Sequence, residues 1–102
     1  MASTPPKALS RRWTFITNHG LVLLEVWQSP DITVRVIAER VGITERATLR
    51  IISELIEAGY MTRRRVGRNN HYSVANASPM RHPLTAHLKI DRLLRLLAPL
   101  DE

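Results

Sequence analysis

The chain has 102 residues, which is enough for one domain with a modest core and too few for two globular domains. Its 15 Lys and Arg against 9 Asp and Glu give a net charge of +6, which favours nucleic acid or another polyanion as a partner. There is no cysteine, which excludes disulfides and thiolate metal sites, and no apolar run approaches the ~20 residues of a membrane span. We therefore expect a small basic protein of the cytoplasm, with residues 1–12 as a flexible lead-in.

The first two predicted helices are separated by a proline. The first begins after Thr17 or Asn18, either of which can cap it, and it ends at Ser29 and Pro30. Its inward positions are Leu21, Val22, Leu24, Val26 and Trp27. The second covers residues 33–41, and four apolar side chains recur there at the spacing of one helix face: Val34, Ile37, Ala38 and Val41.

A third helix is predicted after a very short turn. Gly42 permits the left-handed backbone that often ends a helix, and Thr44 can cap a helix over residues 45–58 that Gly59 closes. The inward face of this helix is assigned to Thr48, Ile51, Ile52 and Leu55. Two helices joined by so short a glycine turn are the pattern of a helix-turn-helix.

A β-hairpin is predicted directly after the third helix. Residues 60–65 and 71–74 have the composition of strands, and residues 66–70 have that of a turn. A hairpin in this position is the wing of a winged helix-turn-helix. The sequence therefore predicts a mostly α fold with a small β-hairpin wing, in which residues 13–78 form the winged helix-turn-helix.

Residues 79–102 are predicted to form a loop and a C-terminal dimerisation helix. The helix begins at Leu84 or Thr85, ends at Leu97 before Pro99, and carries one apolar stripe: Ala86, Ile90, Leu93, Leu94 and Leu97. Widened by Leu96, Ala98 and Leu100, this stripe exceeds what one small core can cover, so we expect it to join two copies of the chain. Trp13 and Phe15 are expected to contribute to the same interface.

The candidates for contact with DNA bases lie in the first half of the third helix: Thr44, Glu45, Arg46, Leu49 and Arg50. A helix fits the major groove, and side chains on its outward N-terminal half reach the base edges. Arg46 and Arg50 lie one turn apart and can contact guanine or phosphate. Thr44 can donate to a phosphate, and Leu49 can touch a thymine methyl. The alternative is a solvated helix face with pairs such as Arg50 and Glu54.

The predicted wing is strongly basic. No acid occurs between Glu57 and Asp91, and this window contains Arg63, Arg64, Arg65, Arg68, Arg81 and Lys89. Alternation along a strand puts Arg63 and Arg65 on one face. Four residues of the tip and the return strand can contact the minor groove or the DNA backbone: Arg68, Asn69, Asn70 and His71. The alternative is a charged hairpin that only protects a strand edge from aggregation.

Four histidines raise the question of a metal site. His82 and His87 are five residues apart, which does not place both on one helix face, and no carboxylate or cysteine accompanies them. No nucleophile–base–acid set and no phosphate-binding glycine loop is present. We therefore expect no metal, no cofactor and no enzymatic activity, and the sequence identifies no effector site.

Residues 36–52 and 55–60, with sequences VIAERVGITERATLRII and LIEAGY, resemble the helix-turn-helix of winged-helix transcriptional regulators. The nearest large groups are the multiple-antibiotic-resistance-regulator-like and arsenical-resistance-repressor-like families. Residues 17–19, 67–72 and 81–83 also resemble a group of small prokaryotic winged-helix proteins of about this length. Two positions differ from the family pattern, because Thr48 replaces a core Val or Ile and Leu49 replaces a polar residue that faces DNA.

The resemblance implies a transcriptional regulator that binds double-stranded DNA, and we expect it to act as a homodimer on a two-fold-related site. The alternative is a winged-helix module that associates with protein or RNA in a larger assembly. The two hypotheses differ in the outward face of the third helix. DNA requires cations such as Arg46 and Arg50, whereas a protein partner favours apolar groups such as Leu49 and Ile56.

Overall fold

The computed structural model describes residues 13–99. Four helices and one hairpin follow in the order α1 Asn18–Gln28, α2 Val34–Val41, α3 Glu45–Glu57, β1 Met61–Val66, β2 Asn69–Val74 and α4 Ile90–Leu97. The two strands form an antiparallel sheet. The predicted mostly α fold with a hairpin wing after the helix-turn-helix is confirmed. Within residues 13–99, no helix is long and apolar enough to cross a membrane.

Each of the first three helices begins at a threonine that caps it. The hydroxyl oxygens of Thr17 and Thr33 accept hydrogen bonds from the amide three residues later at 3.3 Å, and that of Thr44 does so at 3.0 Å. An N-cap of this kind stabilises a helix by about 1 kcal/mol. The turn between α2 and α3 also forms as predicted, because Gly42 has a φ of 88° and both its amide and that of Ile43 donate to the Ala38 carbonyl.

The core lies where α1, α2, α3, the base of the hairpin and α4 meet. Its buried apolar side chains are Val22, Leu23, Val26, Ile37, Ile51, Ile52, Leu55, Tyr60, Met61, Tyr72, Ile90 and Leu94. Thr48 is also fully buried, and its hydroxyl donates to the Thr44 carbonyl at 2.9 Å. Because its one polar group is hydrogen-bonded inside the helix, threonine is accommodated at a position where an apolar residue is usual.

The wing turn is shorter than the sequence predicts. Only Gly67 and Arg68 connect the strands, while Asn69 and Asn70 belong to β2 and lie opposite Val66 and Arg65. Gly67 has a φ of 62°, which permits a two-residue hairpin loop with glycine at its first position. The prediction of a five-residue turn was therefore wrong, and both asparagines lie on a paired strand beside the tip.

The hairpin is tied to the helices through the linker between α1 and α2. The Tyr72 amide donates to the Pro30 carbonyl at 3.0 Å, so this linker covers part of the outer edge of β2. The Tyr72 side chain is buried in the core, and His71 Nδ1 lies 2.7 Å from Asp31 Oδ1. These contacts hold the base of the wing against the helix-turn-helix.

The C-terminal helix begins at Ile90, not at Leu84 or Thr85. Residues 83–87 form turns, and Lys89 pairs with Pro79 in an isolated antiparallel bridge. The Met80 amide donates to the Leu88 carbonyl at 2.9 Å and the Ile90 amide to the Ser78 carbonyl at 2.8 Å. Lys89 is extended, because these hydrogen bonds use the Leu88 carbonyl and the Ile90 amide, which a longer helix would need. The first predicted stripe residue, Ala86, is exposed in a turn.

The predicted dimerisation stripe lies largely inside one protomer. Ile90 and Leu94 are 6% and 1% exposed and belong to the core, and Leu93 packs against that core. The expectation that this whole stripe joins two copies was wrong for these residues, since the short α4 turns them inward. After the wing, the large apolar side chains that are exposed are Leu84 and Leu96, at 80% and 81%, and of these two Leu96 belongs to the predicted interface.

Candidate nucleic-acid interface

The first half of α3 presents the predicted base-contacting residues to solvent. Thr44, Glu45, Arg46, Leu49 and Arg50 are all exposed. The inward face of the same helix, residues 48, 51, 52 and 55, is buried, so the core fixes which face is outward. The Thr44 hydroxyl oxygen accepts the cap hydrogen bond, and its O–H remains able to donate to a phosphate.

Arg46 and Arg50 have no carboxylate partner among residues 13–99. The pair of Arg50 with Glu54, which is the example given for a solvated helix face, does not form. Glu54 Oε1 lies 2.7 Å from His19 Nε2 on α1 instead. Both guanidinium groups are therefore available to an external anion or to a guanine edge.

The wing presents arginines on both of its faces. Arg63 and Arg65 share a face with Met61 and lie opposite Tyr72 and Asn70. Arg64 lies on the other face and opposite His71. The side chains of residues 63–65 are exposed, as is that of Arg68 at the turn. The Arg65 Nε donates to the Gly67 carbonyl at 3.2 Å, which holds this side chain towards the tip.

The predicted contact residues of β2 differ in how available they are. Asn69 is exposed, and Asn70 is half-buried. The His71 ring is half-buried, and its Nδ1 is engaged by Asp31, so only Nε2 remains to meet DNA. Sequence reasoning did not identify Asp31, because a contact between residues 40 positions apart leaves no periodic signal.

The positive charge is unevenly neutralised. Of the twelve Arg and Lys in residues 13–99, three contact a carboxylate: Arg35 with Glu39, Arg40 with Glu25, and Arg95 with Asp91. The other nine are Arg46, Arg50, Arg63, Arg64, Arg65, Arg68, Arg81, Lys89 and Arg92. Six of these nine lie on the recognition half of α3 and on the wing, so these two elements attract a polyanion.

The histidines of residues 13–99 are not arranged as metal ligands. No group of three His, Cys, Asp or Glu side chains in this part of the chain can hold a metal ion. His19 and His71 each face one carboxylate. His82 Nδ1 accepts a hydrogen bond from the Leu84 amide at 3.0 Å, which makes it part of a local turn.

A comparison with known protein families gives a match to the helical first half of the described residues. Residues 17–60 match a family model described as winged helix-turn-helix DNA-binding. The match begins at the Thr17 cap of α1 and ends at Tyr60, so it spans α1, α2 and α3 and stops just before the wing. A search of curated proteins found no match to the chain.

Proposed function

We propose, from the winged helix-turn-helix DNA-binding domain that this chain carries, that the protein is a sequence-specific transcriptional regulator. The observation that carries the proposal is the pair of exposed arginines, Arg46 and Arg50, on the outward N-terminal half of a helix whose other face is buried. In this position a helix inserted into the major groove presents both side chains to base edges or flanking phosphates.

In this proposal the wing contributes affinity, and α3 contributes specificity. Arg63, Arg65 and Arg68 are exposed arginines on a narrow ribbon, which suits the sugar–phosphate backbone or the minor groove. Neither of these surfaces carries the full code of the base pairs. Discrimination between sequences is therefore assigned to Arg46 and Arg50, with Thr44, Glu45 and Leu49 beside them.

We further propose that the regulator acts in the cytoplasm as a homodimer on a two-fold-related site. Support comes from the exposed apolar side chains, among which Trp13 and Phe15 are 66% and 89% exposed and stack edge to face at 5.0 Å. Leu84 and Leu96 are also strongly exposed. Burial of such groups between two copies removes apolar surface from water and sets two recognition helices ~34 Å apart.

The proposed membership among multiple-antibiotic-resistance-like or arsenical-resistance-repressor-like regulators rests on the sequence pattern of residues 36–60. This membership agrees with a DNA-binding role and would make the protein a regulator of transcription. The competing hypothesis, a module that associates with RNA or protein, gains support only from the exposed Leu49.

Equilibrium binding to DNA and RNA duplexes of the same sequence separates the two hypotheses. The proposal expects the DNA duplex to be preferred, since A-form RNA hides its major groove. It also expects the double variant Arg46→Ala and Arg50→Ala to lose more DNA affinity than the variant Arg92→Ala and Arg95→Ala, which removes the same charge from α4. Equal losses in both variants, or tighter binding of RNA, would favour the association module.

A further inference from the structure

His71 and Asp31 form a contact between the wing and the linker that leads into α2. The His71 Nδ1 lies 2.7 Å from the Asp31 Oδ1. The His71 side chain is 33% exposed, whereas that of Asp31 is 81% exposed. Beside them the Tyr72 amide donates to the Pro30 carbonyl at 3.0 Å, so the backbones of the two segments are also joined at this point. The imidazole is therefore held with one nitrogen against Asp31 and with part of its ring open to solvent.

The contact decides which ring nitrogen of His71 carries the proton. An ionised carboxylate only accepts hydrogen bonds, so Nδ1 must be the donor to Asp31. In a neutral imidazole one nitrogen donates and the other accepts, which leaves Nε2 as an acceptor. A phosphate oxygen of DNA is an acceptor too. The neutral His71 therefore has no proton to donate to a phosphate, and only the imidazolium, in which both nitrogens donate, bridges Asp31 and a phosphate.

The elements on either side of His71 are those that the proposed function places on the DNA backbone. Asp31 lies three residues before the start of α2. In a helix-turn-helix the first helix, here α2, crosses the sugar–phosphate backbone while the second enters the major groove. The partner of His71 on β1 is Arg64, one of the exposed wing arginines. His71 therefore lies between the start of α2 and a basic ribbon, where a phosphate is the expected neighbour.

Two charges of opposite sign act on this imidazole in the free protein. Asp31 favours the imidazolium, and Arg64 disfavours it as a like charge. The other ionisable group of β2, Tyr72, is buried in the core. The ionisable residues of α1, which packs against β2, and of α2 are already paired: His19 with Glu54, Glu25 with Arg40, and Arg35 with Glu39. A phosphate brought close to His71 adds an anion and therefore favours the imidazolium.

We propose that the wing binds DNA with the uptake of one proton by His71, whose imidazolium then donates from Nδ1 to Asp31 and from Nε2 to a DNA phosphate. This proposal rests on the proposed function, since its ligand is DNA. A charged donor binds a phosphate more strongly than a neutral one, by about fivefold in affinity. Because an unperturbed imidazole changes charge between about pH 5 and 8, DNA binding strengthens as the pH falls through this range.

DNA affinity measured at pH 6 and at pH 8, with the salt concentration held constant, tests the proton uptake. The parent protein should bind a duplex about fivefold more tightly at pH 6 than at pH 8. His71→Gln keeps a neutral donor that does not titrate, and this variant should lose the difference. His71→Lys carries its charge at both pH values and should bind at pH 8 about as tightly as at pH 6.

His19→Gln is the matched control. His19 also lies 2.7 Å from a carboxylate, that of Glu54, but it belongs neither to the wing nor to the outward half of α3. This variant should keep the pH dependence of the parent, and circular dichroism establishes that each variant is folded. A pH dependence that His71→Gln leaves unchanged, or that His19→Gln removes equally, would overturn the proposal.

Nitrogen NMR of the histidine rings tests the same claim in the unsubstituted chain. In the free protein at pH 8, His71 should carry its proton on Nδ1. Addition of a DNA duplex at pH 7 should shift this ring towards the form with both nitrogens protonated. A ring that stays neutral in a complex that forms would overturn this inference and leave the proposed function intact. Absence of DNA binding at every pH would overturn the proposed function itself, and this inference with it.

Discussion

Removal of the wing arginines gives a quantitative test of how the protein contacts DNA. Arg63, Arg65 and Arg68 are exposed, and none of them contacts a carboxylate in residues 13–99. The one internal hydrogen bond of Arg65 uses Nε and leaves both terminal nitrogens for a phosphate. We therefore count three available phosphate contacts in the triple variant Arg63→Ala, Arg65→Ala and Arg68→Ala.

The expected magnitude follows from counterion release. Each lost phosphate contact reduces the slope of log K against log salt by about 0.9, so three contacts reduce it by roughly 2.7. When the salt concentration rises from 50 to 200 mM, both proteins lose DNA affinity. The fold-loss should be about 40 times smaller for the triple variant than for the parent. Because phosphates carry no sequence information, binding to all duplexes should weaken alike.

Fluorescence anisotropy with a labelled duplex at five or six salt concentrations measures both slopes. The control variant Arg92→Ala and Arg95→Ala removes two cations from α4 and should leave the slope nearly unchanged. A parental slope in the triple variant would show that the wing arginines do not contact phosphates. If the α4 control flattens the slope as much per charge removed, the wing does not contribute more to DNA binding than other cations do.

The other predictions concern stability and assembly. Thr44→Ala removes the α3 cap and should cost about 1 kcal/mol, lowering the melting temperature by roughly 4–8 °C in thermal unfolding. Gly42→Ala should destabilise by more than ~1 kcal/mol in urea titration, because the φ of 88° strains any residue with a Cβ. Leu94→Ala should cost about 2–5 kcal/mol because it leaves a cavity in the core, whereas Leu96→Glu should leave stability almost unchanged. If α4 contributes to the proposed dimer, Leu96→Glu should give monomers in light scattering, and a dimer that survives this change places the interface elsewhere.

The parts of the fold that were predictable from sequence are those set by local chemistry. The caps at Thr17 and Thr44 and the turn at Gly42 follow from properties of single residues, and the structure contains all three. The inward face of α3 follows from helical periodicity, and each of its predicted residues is buried. In α1 the periodicity was less clear, because Leu23 is buried although it was not among the predicted inward positions.

The parts that were not predictable depend on contacts between distant residues. The start of α4 is set by the pairing of residues 88–90 with residues 78–80, which overrides the helical pattern of residues 85–89. The partners of Asp31 and Glu54 are His71 and His19, each more than 30 positions away.

Base recognition by α3 is tested most directly by selection of binding sites from a pool of random DNA duplexes. The parent protein should enrich a recurrent motif with two related half-sites about 10 base pairs apart. Arg46→Ala and Arg50→Ala should each relax the preference at particular positions, with a cost of roughly 1–3 kcal/mol on the parental site. An unenriched pool, or motifs that are identical for the parent and both variants, would contradict base recognition by this helix.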